Sequence, residues 1–157
     1  MDVVFPSIEF FRALQALMQQ EREHFKRLGY FDTTFGVRVL DGPAKRHEYL
    51  LGFEVFDCTL VRAATDLAAE NVDFILEGDL ETWADMLRNI QQHGAADVAH
   101  SINTLTHLGE HMRVVYDDPD GHDKLYRFAE SVQEFIDLAA KLDIAFPHGR
   151  TEARASA

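Results

Sequence analysis

VDFILEGDLETWADML, residues Val72 to Leu87, contains a complete passage from strand to helix, and the rest of the chain can be read outward from it. Side chains alternate across a strand, so Val72, Phe74 and Leu76 share one face while Asp73 and Glu77 take the other. Gly78-Asp79 stops the alternation. Asp79 stands where a helix N-cap belongs, with a carboxylate that accepts an amide proton two or three residues on. Leu80, Trp83, Leu87 and Ile90 then recur at three- and four-residue spacing. Trp83, the chain's only tryptophan, lies on that apolar stripe. The segment predicts a sheet-to-helix junction beside a bulky apolar surface.

Upstream, Pro6 and Ser7 precede a helical stripe of Phe11, Leu14, Met18, Phe25 and Leu28. Glu21 stands where a further apolar residue is due, which predicts a bend or restart there. Gly29 ends this helix, and Phe35, Val37 and Val39 alternate as a strand should. After the turn signal Asp41-Gly42-Pro43, Tyr49, Leu51, Phe53 and Val55 form one face of a second strand. A third runs from Thr59 to Ala63, completing an antiparallel meander. Downstream, the tryptophan helix extends from Leu80 to Gln92, a second helix is predicted over Val98 to Thr106, and His111 to Tyr116 reads as a fifth strand. Leu125, Phe128, Val132, Phe135, Ala139 and Leu142 then repeat at three- and four-residue intervals after Asp117-Asp118-Pro119-Asp120-Gly121, the pattern of a long amphipathic helix lying on the sheet. The predicted class is α+β, a five-stranded, mostly antiparallel sheet covered by helices. Residues 1–146 make one domain. Residues 147–157 are expected to be a flexible tail, because after Pro147 no apolar side chain larger than alanine remains.

The chain has 157 residues, enough to bury roughly two-thirds of its unfolded surface around a single core. Its 27 acidic and 15 basic residues give a formal net charge of -12, which repels nucleic acid and anionic membrane surfaces. Cys58 is the only cysteine, so no internal disulfide forms. The start, MDVVFPSIEF, has no basic segment leading an apolar run, and no apolar run reaches membrane-spanning length. These features together predict a soluble, cytoplasmic protein with no integral membrane association.

FPSIEFF near the start, VDFILEGDLETWADML in the middle and LGEHMRVVYDD, with its glycine-led return strand, resemble the sterol carrier protein 2-like family over about Phe5 to Leu142. The resemblance implies a five-stranded sheet backed by helices, with a hydrophobic tunnel for a sterol, fatty acid or acyl-CoA, and a carrier that is not itself an enzyme. Under it the ligand lies between sheet and helices. Trp83, Leu87 and Ile90 would meet it from the first middle helix, and Ile102 and Leu105 from the second. Met112, Val114 and Tyr116 would meet it from the fifth strand, and Phe128, Val132 and Phe135 from the last helix. Rim histidines and the Tyr116 hydroxyl would orient a polar head. No cofactor, metal or catalytic residue is implied.

Other constellations are less specific. Were Val98 to Thr106 one helix continuing past His107, His100 and His107 would share a face but stand roughly 10 Å apart along the axis, too far to grip one ion. Glu21-x-x-His24 matches half of a carboxylate-bridged di-iron signature, and no second copy exists. No nucleophile elbow, phosphate-binding loop or dinucleotide fingerprint occurs. The aromatic stripes are first of all core. The apolar faces of several helices and one sheet face seek cover in one modest domain, which permits a cavity. Two alternatives to a carrier stand beside it. One is a small isomerase, lyase or hydrolase acting on a steroid-like or acyl substrate, motivated by Asp97, His100 and His107. The other is an accessory subunit that presents bound substrate to an enzyme partner.

Overall fold

The computed structural model describes residues 2–147, so the segment 148–157, expected to be a tail, lies outside the described residues. In chain order the elements begin with β1 (Asp2–Val4), α1 (Ile8–Gln20), α2 (Arg22–Leu28), β2 (Thr33–Asp41), β3 (Lys45–Glu54) and β4 (Asp57–Ala63). There follow β5 (Phe74–Asp79), α3 (Leu80–His93), α4 (Ile102–Leu105), β6 (Met112–Val115), α5 (Pro119–Arg127), α6 (Ala129–Asp137) and β7 (Asp143–Ala145). The fold is α+β, and the main sheet has the order β4-β3-β2-β5-β6. Every pairing in it is antiparallel except β2 with β5. That parallel pair follows from the meander: β4 ends at the far edge, and the chain must cross the outer face of the sheet before β5 begins. The crossover seals itself there by packing Leu67 against Leu50 and Ile75.

The inner face carries Phe35, Val37 and Val39 of β2, Leu51 and Phe53 of β3, Phe74 and Leu76 of β5, and Met112 of β6, all buried in one cluster with the helices. The alternation starts later than the sequence suggests. Val72 precedes the strand and packs with the outer cluster rather than beside Phe74. Asp73 ends the crossover as a polar tether, accepting from Thr33 Oγ1 at 2.7 Å and Thr34 N at 3.1 Å and pairing with Lys124 at 3.3 Å. From Phe74 the reading holds through the junction. Asp79 is extended, and its carboxylate accepts from Thr82 N at 2.7 Å, which caps α3.

The restart at Glu21 is present, with α2 opening at Arg22 and the Glu21 carboxylate paired with Lys141. Three other element readings need correction. Val55 is not on a strand face: it has φ 62° in the two-residue loop between β3 and β4, which requires a positive φ, and it is 47% exposed. The helix expected over Val98 to Thr106 is broken at Ser101. Asp97 caps a 3-10 turn at Val98–His100 and Ser101 caps α4, each bonding the amide three residues on and each restarting the chain. Val98 is thereby left 83% exposed. The long last helix is two helices and a 3-10 turn, bent at Phe128, where φ is -109° and ψ is 18°. A small parallel pair, β1 with β7, ties the two ends of the domain together and has no periodic signature in the sequence, because each strand has three residues.

Candidate functional site

Of the side chains expected to meet a ligand, all but Tyr116 converge. Trp83, Leu87, Ile90, Ile102, Leu105 and Met112 are buried in the inner cluster with Val132 and Phe135, and Val114 and Phe128 pack half-buried against it. Trp83 is 1% exposed and its indole donates to the Arg38 carbonyl at 3.3 Å. These residues pack against one another, and the open space lies beside them. A groove of about 380 Å³ runs between the capped segment at Ser101 and the α5–α6 bend. Ser101, Ile102, Asn103 and Thr106 form one wall, and Leu125, Tyr126, Ala129, Glu130 and Gln133 form the other. Ile102 is the expected residue that lines both the groove and the core.

The groove exists because its first wall hangs from the helices by side-chain bonds. Gln133 of α6 accepts from Ile102 N at 2.7 Å and donates to Asp137 at 2.9 Å, and Asp137 in turn accepts from Ala96 N at 3.2 Å. Burial pushes the Asp137 carboxyl above its ordinary range. Asn89 of α3 exchanges a reciprocal pair of bonds with Asp97, both at 2.9 Å. The hydrogen bond from His100, at 2.7 Å, leads with Asn89 in holding the Asp97 carboxyl down at about 2. Gln133, Glu130 and Ala129 were missed by the periodicity reading, which follows apolar stripes. The signal was the pair of N-cap residues Asp97 and Ser101, which break a helix and turn its second half toward α6.

No family model matches the chain, and no curated protein matches its sequence. Solved structures do match. A conserved hypothetical protein of Thermus thermophilus, described as possibly a sterol carrier protein, superposes with a TM-score of 0.64 at 15% identity, covering 88% of this chain and 89% of that one. The crystal structure of a sterol carrier protein 2 superposes with a TM-score of 0.63 at 16% identity, covering 84% and 94%. The chain has the sterol carrier protein 2 fold. The resemblance read from FPSIEFF, VDFILEGDLETWADML and LGEHMRVVYDD thus stands at the level of the fold.

Among the described residues of this sterol carrier protein 2 fold, two further concavities of mixed polar and apolar lining bear on the sequence expectations. One, about 330 Å³, lies between α2 and the end of α6, where His24 Nε2 is 2.6 Å from Glu134 and Lys141 pairs with Glu21. The other, about 320 Å³, lies on the outer face of the sheet beside Arg38, whose guanidinium is fixed by Glu48 at 2.5 Å and Glu77 at 2.8 Å. Tyr116 belongs to this second cleft and is 44% exposed, reaching the groove only through the rings of His122, at 4.4 Å, and Tyr126 beyond it. His100 and His107 fall in separate elements, His100 on its cap partner Asp97 and His107 exposed. Among the described residues no three His, Cys, Asp or Glu side chains gather as metal ligands, and no helix is long and apolar enough to cross a membrane.

Proposed function

We propose that this chain is a non-enzymatic binding protein for an amphipathic small molecule, which seats its apolar body in the groove between Ser101 and the α5–α6 bend. The observation that carries the reading is the floor of that groove. Ile102 and Leu125 belong at once to the open groove and to the inner apolar cluster, so a ligand on them continues the core rather than covering an isolated patch. The fold supports it, since one structural neighbour bears the name sterol carrier protein 2.

Binding by partition needs little chemistry. Each buried methylene contributes about 0.8 kcal/mol, so a ten-carbon chain gains on the order of 8 kcal/mol before the costs of association are subtracted. A longer ligand deepens the groove by shifting Leu105, Val132 and Phe135, with Trp83, Met112 and Phe128 in the cluster behind them. Delivery to an enzyme partner in the cytoplasm is the use such a carrier would serve. In a two-dimensional NMR titration with decanol, the amide signals of Ile102, Thr106, Leu125 and Ala129 are expected to move together and saturate. Shifts scattered over the surface, or none, would refute the site.

One observation favours an acid/base enzyme instead, the His24–Glu134 pair in its cleft. It is weaker, because that cleft is open and carries Glu21, Glu134 and Asp137 against Lys141 and Arg27, with no enclosed position for a reacting atom. Saturable binding with the ligand recovered chemically unchanged separates the two readings in favour of the carrier.

A further inference from the structure

The walls of the groove offer neutral polar groups, one carboxylate and no cation. Glu130 is the one charged side chain among its lining residues, and it is exposed. The hydroxyl protons of Thr106 and Ser101 are already committed. Thr106 Oγ1 donates to the Ile102 carbonyl at 2.7 Å, and Ser101 Oγ donates to the Val98 carbonyl at 3.0 Å, so each leaves lone pairs rather than a proton for a newcomer. Gln133 is held on both sides, its oxygen by Ile102 N and its nitrogen by Asp137. Asn103 and Tyr126 bring neutral groups that can donate or accept but carry no positive charge. A carboxylate or phosphate head seated here would lose water and meet a like charge with no cation to replace it. A protonated amine would meet Glu130 through a charge-assisted hydrogen bond, and the chain's net charge of -12 adds a long-range field of the same sense.

We infer that the groove selects amphipaths with a hydrogen-bond-donating, non-anionic head, a protonated amine above all, and rejects fatty acids and acyl phosphates. This rests on the groove being the ligand site. The test is calorimetric titration of the full chain with decylamine, decanol and decanoate at about pH 7, where the amine is protonated and the acid ionised. The expected order is amine, then alcohol, then acid, with about tenfold between the first and last. Glu130→Gln should close most of that gap, and Ala129→Trp, which fills the groove, should abolish binding of all three with its circular dichroism unchanged. Decanoate binding as tightly as decylamine, or a gap that Glu130→Gln does not move, overturns the selection by charge while leaving the groove as the site. Decylamine binding that survives Ala129→Trp is association with an acidic surface and overturns the inference. Failure of all three ligands to bind overturns the groove as well.

Discussion

Asp137 shows how one half-buried carboxylate can anchor the wall of a groove at a cost to the fold. Its Oδ1 takes both Gln133 Nε2 and Ala96 N, and so anchors the groove wall, while burial raises its pKa above the ordinary value. A carboxyl raised on folding penalises the folded state once ionised. Stability is therefore lost as pH rises from the unfolded pKa through the folded one. Asp137→Asn keeps an oxygen for both donors and removes the charge, so its melting temperature at pH 7 is expected to equal or exceed that of the parent. Asp137→Ala leaves the Ala96 amide without its partner and should cost about 1 to 3 kcal/mol. Scanning calorimetry of the two variants decides it, and an Asn variant as unstable as the Ala variant would contradict the argument. Trp83 was legible in the sequence because it sits on a clean stripe, and its burial predicts a blue-shifted emission maximum. Gln133 was not, because its partner Ile102 is 31 residues away and sequence spacing says nothing about such a bond.

At the scale of elements, the sequence was most legible where local chemistry decides alone. Asp79 after Gly78 is a cap in the sequence and a cap in the fold, and Glu21 breaks the first helix as its place in the stripe demands. It was least legible where two local signals compete. Apolar spacing argued for one helix from Val98 to Thr106, and the caps at Asp97 and Ser101 won. The pKa of Asp97, about 2 against an ordinary 3.8, gives that cap an acid signature. A carboxyl lowered on folding stabilises the fold above its unfolded pKa, and the contribution disappears as pH falls from 3.8 through about 2. Amide exchange across residues 97–106 is thus expected to quicken over that interval in the parent and to be fast throughout in Asp97→Ala. Exchange that is equally slow in both would remove Asp97 as the anchor. Gly121 fixes a second junction. A Cβ there would lie 2.0 Å from the Asp73 carbonyl oxygen, so α5 meets the start of β5 backbone to backbone. Gly121→Ala should destabilise by on the order of 2 to 4 kcal/mol in urea unfolding.

For the whole molecule, the order of strands and helices carried the fold, because an antiparallel meander, a crossover and a capped helix leave few ways to close a five-stranded sheet. The small β1–β7 pair escaped, since three residues show no period. The candidate site was half legible. The apolar residues named from the sequence do assemble, yet as a packed cluster, and the open groove beside them is made by a broken helix and a bent one. Neither break is visible in hydrophobic spacing. The central claim is that this groove holds an amphipathic molecule, and native mass spectrometry of the gently purified chain tests it most directly. The expected result is an adduct of small-molecule mass on the parent, or one titratable with decylamine, and an adduct-free Ala129→Trp variant with the same fold. A parent that stays bare, or a variant that carries the same adduct, would contradict it.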